Sequence, residues 1–195
     1  MSLRPDLAAI AAHVAPGTRV LDIGCGDGAL MAELESASDV DARGMELDPA
    51  LVERCVARGL SVVQGDANTD LANYPDKAFD YAILSQTLQT ATRPDLILDE
   101  LLRVGDKAFV SFPNFAHWRT RAALMFGGRM PVTRALPVSW YETTNIHHVT
   151  IDDFRELARA KGARIECAWY FAHENEIGAA AANWRAEFAV FQLSR

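Results

Sequence analysis

Val20-Leu21-Asp22-Ile23-Gly24-Cys25-Gly26-Asp27-Gly28 decides the reading of this chain. Arg19 to Ile23 is a short apolar run that stops at Gly24, the pattern of a buried strand. Asp27 to Ala37 follows, with Leu30, Met31 and Leu34 at helical spacing. Strand, glycine-rich turn and helix in that order open a doubly wound α/β sheet, which takes its ligands at the carboxyl ends of the strands. Glycine permits the positive φ and close backbone approach that a ligand at this turn requires, and the helix start presents free N–H groups to it.

The alternation continues downstream. Ala42 to Leu47 is a second strand; Asp48 then caps a helix with Pro49 at its first position and Gly59 at its stop. Leu60 to Gln64 is a third strand and Phe79 to Leu84 a fourth. Pro94 opens a helix with an apolar face of Ile97, Leu98, Leu101 and Leu102, ended by Gly105, and Lys107 to Phe112 is a fifth strand. Thr150 with Asp153 resembles a capping box for a helix that buries Ile151, Phe154 and Leu157 and stops at Gly162. Arg164 to Tyr170 and Glu187 to Leu193 are strands with no clear helix between them, expected as an antiparallel pair at a sheet edge. The first five strands alternate with helices and are expected to lie parallel. The expectation is a single Rossmann-like domain over residues 1–195, mostly parallel, with an antiparallel C-terminal strand.

Composition narrows the partners. The chain has 195 residues, a length for about one domain. Its net charge of −7 opposes both a general nucleic-acid binder and attachment to an anionic membrane. Three separated cysteines, with no CxxC pair, indicate neither a disulfide framework nor a zinc knuckle. No metal site is expected. A reducing cytoplasm is the compartment this suggests. No signal peptide or membrane span is legible.

The strand ends carry the ligand chemistry. Gly24, Gly26 and Ala29 also meet the loose dinucleotide fingerprint, but Gly28 comes one residue early for it. Asp22 would repel a pyrophosphate in a dry cleft and suits a cationic ligand. Glu46 ends strand two, where a carboxylate can accept from both ribose hydroxyls. Asp66, within Gly65-Asp66-Ala67, is placed to accept from an adenine amino group. The structural alternative makes Asp22 a turn cap and Glu46 and Asp66 solvated loop residues.

Here the chain resembles the class I S-adenosylmethionine-dependent methyltransferases. The glycine stretch looks like their first motif, Glu46 like their ribose acid and Asp66 like their adenine-side acid; Ser85-Gln86-Thr87-Leu88 occupies the segment that lines the methyl-donor pocket. The resemblance implies a site for S-adenosylmethionine, or its product S-adenosylhomocysteine, built from Asp22, Gly24, Cys25, Gly26, Gly28, Glu46, Leu47, Gly65, Asp66, Ala67, Ser85, Gln86 and Thr87. Leu84-Ser85-Gln86-Thr87-Leu88-Gln89, Val110-Ser111-Phe112-Pro113-Asn114-Phe115, His117-Trp118-Arg119, Gly128-Arg129-Met130-Pro131-Val132-Thr133 and Asn145-Ile146-His147 look more narrowly like the methionine-biosynthesis MetW family. Thr144 stands where that family leads one to expect proline. The family implies homoserine O-acyltransferase as a partner.

Lys107 to Tyr141 contains no Asp or Glu and carries Lys107, Arg119, Arg121, Arg129 and Arg134, a local charge of +5 against −12 on the rest. Phe109, Phe112, Phe115, Trp118, Phe126, Trp140 and Tyr141 are interleaved with them. Arginine among aromatics suits a partner surface or an acceptor site. The alternative is a helix packing Phe115, Trp118 and Phe126 on the sheet. No catalytic constellation stands out. Tyr141 and His147 are candidates for acid or base, with a structural role as the other reading; His147 and His148, adjacent on a strand, would point apart. Two functions stand: an accessory protein that binds the methyl donor and supports the acyltransferase, or a small-molecule methyltransferase.

Overall fold

The computed structural model describes residues 3–133 and 136–195. Among them eight strands form one sheet: β1 (Arg19–Ile23), β2 (Asp41–Glu46), β3 (Ser61–Gln64), β4 (Phe79–Ser85), β5 (Gly105–Pro113), β6 (Arg164–Ala172), β7 (Asn175–Ile177) and β8 (Phe188–Ser194). Their order is β3-β2-β1-β4-β5-β8-β6-β7. β1 to β5 pair in parallel, as their alternation with helices requires. The order reverses at β1, whose neighbours are β2 and β4, so the glycine turn after β1 opens at the switch point.

β8 runs antiparallel to both β5 and β6. The expected pairing of the last two long strands is present, but β8 inserts between β5 and β6, and the sheet edge is β7. That strand is too short for its periodicity to show in the sequence.

Helices cover both faces. α1 (Pro5–Ala11), α2 (Ala29–Ser38) and α3 (Pro49–Ala57) bury Leu7, Ile10, Leu30, Met31, Leu34 and Cys55 against Val20, Tyr81, Ile83 and Phe109. α5 (Pro94–Val104) and α7 (Ile151–Ala160) bury Ile97, Leu98, Leu101 and Phe154 against Leu21, Ile23, Leu84 and Phe191 on the other face. Each such side chain contributes about 1.5–3 kcal/mol when fully buried. α4 (Ala67–Asp70), α6 (Trp118–Ala122) and α8 (Ala182–Arg185) are single turns in the connections.

The local signals act as predicted. The Asp48 carboxylate accepts from the Ala50 N–H at 2.8 Å and Pro49 opens α3. Thr150 Oγ1 accepts from the Asp153 N–H at 3.1 Å. The return half of the capping box differs: Asp153 Oδ2 accepts from the Thr150 hydroxyl at 2.6 Å.

Strand alternation then decides which side chains meet at the site. Val20 lies in the α1–α3 core, and two residues on, at the strand end, the same face presents Asp22. Tyr81 and Ile83 lead in the same way to Ser85, and Phe109 leads to Ser111. Three neighbouring strands thus end in polar side chains beneath α1.

Candidate functional site

The turn after β1 is held open by its backbone. Gly24, Gly26 and Gly28 have φ of +70°, +61° and +75°, a region that side chains other than glycine rarely adopt. The N–H groups of Gly24 and Cys25 both donate to the Met45 carbonyl, at 2.7 and 3.3 Å. The three glycines do different work. A Cβ on Gly24 would sit 2.5 Å from Thr87 Oγ1, and one on Gly28 would sit 2.3 Å from Leu60 Cδ1. Gly28 thus packs closely on the α3–β3 connection, where an added Cβ would force the Leu60 side chain to shift. A Cβ on Gly26 would meet open space, so its bare backbone is free to face a ligand.

Glu46 is buried and ties this turn to the next. Its Oε2 accepts from the Gly26 N–H at 2.8 Å and its Oε1 from the Asp48 N–H at 2.9 Å. A carboxylate has about four acceptor positions, so two such bonds leave room for hydroxyl donors. The solvated-loop alternative for Glu46 is overturned by its burial.

A cavity of about 680 Å³ opens on this turn. Asp22, Gly24, Cys25, Gly26 and Ser85 line it with Leu3, Arg4 and Leu7 of the N-terminal segment. Asp22 is buried, and burial pushes its carboxyl up to about 7; Arg4 opposes the shift, while the charges of Glu46 and Asp6 add to it. Burial, followed by the charge of Asp22, pushes the Cys25 thiol up, so Cys25 is a small wall residue.

Arg4, Asp6 and Ser111 were not among the expected site residues. Asp6, buried at the start of α1, accepts on Oδ2 from the hydroxyls of Ser85 and Ser111, each at 2.9 Å. Arg4 donates to both Asp6 oxygens at 3.2 Å and to Ser85 Oγ at 2.9 Å. The cluster pins α1 across the ends of β4 and β5. A signal existed: Arg4-Pro5-Asp6 places proline and an acid in a first helical turn. The charged side chains lining the cavity are Asp22, Asp27 and Glu33 against Arg4 and Arg58.

The remaining expected residues are spread more widely. Asp66 caps α4, its Oδ1 accepting from the Asn68 N–H at 2.9 Å and from the Asn68 amide at 2.7 Å. Gly65 donates to the Glu46 carbonyl at 3.0 Å. Ala67 packs on the core and Leu47 is exposed beyond β2. Thr87 donates to the Ser85 carbonyl at 3.0 Å and lies against Gly24. Gln86, at φ +55°, lines a second cavity beside the first.

The basic aromatic segment does not pack as a core helix. Phe126, Trp140 and Tyr141 are 82%, 74% and 70% exposed, and Trp118 is also exposed. Arg119 lies over the Trp118 ring at 5.4 Å and Arg121 over the Trp184 ring at 5.3 Å. In the same segment Phe115, Met130, Val138 and Trp140 line an apolar hollow of about 360 Å³. Arg134 lies outside the described residues. His147 and His148 are not in a strand; the His148 ring meets Phe115 edge-on at 4.7 Å. Among the described residues no group of three His, Cys, Asp or Glu side chains is arranged to hold a metal.

Comparison with known proteins follows this geometry. The model of the methionine biosynthesis protein MetW family matches residues 4–193. A relative from Rhodopirellula baltica, bifunctional methionine biosynthesis protein MetXA/MetW, is 33% identical over 166 residues, covering 80% of this chain and 27% of that protein. A ubiquinone biosynthesis O-methyltransferase from Xylella fastidiosa is 34% identical over 131 residues, covering 62% of this chain and 51% of that enzyme. The chain thus spans between about a quarter and about half of the length of these relatives. An S-adenosylmethionine-dependent methyltransferase structure from Mesorhizobium loti superposes with a TM-score of 0.72 at 18% identity, covering 98% of each chain. One from Archaeoglobus fulgidus superposes at 0.69 and 15% identity, covering 97% of this chain and 94% of that one.

Proposed function

We propose that this chain, which belongs to the methionine biosynthesis protein MetW family, binds S-adenosylmethionine or S-adenosylhomocysteine and supports homoserine O-acyltransferase. The observation that carries the cofactor reading is the cavity at the switch point. The open backbone of Gly26 and the buried carboxyl of Asp22 line it, and the buried Glu46 grips the Gly26 N–H from beside it. A sulfonium or ammonium group finds an acidic wall there, and ribose hydroxyls find the free acceptor positions of Glu46. The methyl donor supplies a methyl group already activated on positively charged sulfur, so the protein has chiefly to bind and orient. Asp66, Gly65, Ala67 and Leu47 form the adenine side in this reading, and Ser85, Gln86 and Thr87 the methionine side.

The partner reading rests on two supports. The relative that joins MetXA to MetW carries both in one polypeptide. This chain also exposes a basic aromatic surface of the kind that protein interfaces use, around Trp118, Arg119, Phe126 and Arg129. Residues 1–195 act as one domain in the cytoplasm, with neither nucleic acid nor membrane as a partner. The net charge of −7 supports this, and no helix among the described residues is long and apolar enough to cross a membrane.

The test is reconstitution with homoserine O-acyltransferase. Co-purification, together with a change in acyltransferase rate or affinity when S-adenosylhomocysteine is added, is the expected result. No association and no change in rate would overturn the partner reading. A second reading, a methyltransferase acting on a small molecule, is favoured by the second cavity next to the first.

A further inference from the structure

The second cavity, of about 710 Å³, shares Leu3 and Arg4 with the first and lies at the same end of the sheet. The Arg4–Asp6–Ser85 cluster forms the partition: Ser85 faces the first cavity, while Asp6 and Gln86 line the second. The far wall carries His173, Glu187 and Phe188. Glu187 is buried and holds His173 twice. Its Oε2 accepts from the His173 backbone N–H at 3.1 Å, and its Oε1 lies 3.2 Å from Nδ1 of the ring. A carboxylate can only accept, so Nδ1 carries a proton, and in the neutral form of the ring the lone pair lies on Nε2.

The backbone supports a role beyond turn formation. His173 and Glu174 form the two-residue turn between β6 and β7, and His173 has φ +57°, where glycine is favoured. A histidine kept at such a position, doubly bonded to a buried acid and lining a cavity, is strain retained beside a candidate site.

We propose that the second cavity is the acceptor site and that His173, oriented by Glu187, takes the proton from the nucleophile during methyl transfer. The proposal rests on the reading of the first cavity as the methyl-donor site. An acceptor X–H loses its proton to Nε2 of His173. X bonds to the methyl carbon, and the electron pair of the breaking carbon–sulfur bond stays on sulfur. His173 is the catalytic residue and Glu187 a positioning residue. The wall chemistry selects the acceptor class. Among the described residues of this wall Asp6 and Glu187 outnumber Arg4, while Pro5, Pro113, Pro137 and Phe188 offer flat apolar faces. The fit is a small amine or alcohol with an apolar body and no anionic group.

The experiment uses the full chain with nitrogen-15-labelled histidine, with and without S-adenosylhomocysteine, and His173→Asn to assign the ring. Asparagine tolerates φ above zero, so the turn is preserved. The expected spectrum has His173 as the Nδ1-protonated tautomer, and benzylamine shifts Nε2 while benzoate does not. Glu187→Gln has one acceptor oxygen for two donors; with the backbone N–H retaining it, the amide NH₂ meets Nδ1 and the tautomer moves toward Nε2–H. An Nε2-protonated ring in the wild type, no tautomer change in Glu187→Gln, no response to benzylamine, or an equal response to benzoate would each overturn the proposal. Calorimetry with S-adenosylhomocysteine separates the two readings. Its failure with the wild type refutes the donor site, whereas the tautomer and the benzylamine response are read without it; His173→Asn is expected to keep wild-type affinity for it.

Discussion

Asp22→Asn tests the electrostatics of the first cavity. In the folded protein the Asp22 carboxyl sits at about 7, against an ordinary value of 3.8, chiefly because burial disfavours its charge. Below 7 it is mostly neutral, and a cation gains little from it. If S-adenosylmethionine binds the ionised form, affinity follows the ionised fraction, which rises about twenty-five-fold between pH 5.5 and 7.5. Asp22→Asn removes that dependence. Stability has the opposite sign: between about 4 and 7 the folded state binds the proton that the unfolded state has released, so stability falls as pH rises. Ionising the buried group costs up to about 4 kcal/mol, all of it present above 7. Calorimetric titration of both proteins across this range, with chemical denaturation of the unliganded proteins, reads both effects. Wild-type affinity that is flat with pH, or Asp22→Asn with the same slope as wild type, refutes the reasoning.

Three further outcomes follow from the geometry. Gly24→Ala puts a Cβ 2.5 Å from Thr87 Oγ1 at φ +70° and is expected to cost more than about 1 kcal/mol and weaken S-adenosylhomocysteine binding, read by denaturation and calorimetry. Asp6→Ala strips the shared acceptor from Arg4, Ser85 and Ser111 and is expected to cost about 2–3 kcal/mol in denaturant, with α1 losing amide protection in hydrogen exchange. Arg119→Glu with Arg129→Glu is expected to weaken capture of homoserine O-acyltransferase while leaving S-adenosylhomocysteine affinity unchanged; undiminished capture would count against the surface.

The sequence reveals the parallel half of the fold because its signals are local. Gly24 stops an apolar strand, Asp48 and Pro49 start α3, and Thr150 starts α7, each through bonds within a few residues. The order of the antiparallel strands is a long-range choice, so the insertion of β8 between β5 and β6 has no local mark. The expected site divides similarly. Asp22, Gly24, Cys25 and Gly26 come from one contiguous stretch and share a cavity. Asp6 joins Ser85 and Ser111 across 79 and 105 residues, and Glu187 reaches His173 from the far side of β7 and α8. Such pairings depend on strand register, which periodicity alone does not give.

The central claim is a working cofactor cavity, and calorimetric titration with S-adenosylhomocysteine tests it most directly, with Glu46→Ala beside the wild type. Glu46 grips the Gly26 and Asp48 N–H groups and, in this account, the ribose. The account predicts binding to the wild type that Glu46→Ala weakens by at least about tenfold, as loss of a charged hydrogen-bond acceptor implies. A folded wild-type protein that gives no binding heat, or a Glu46→Ala protein that binds as tightly, would contradict it.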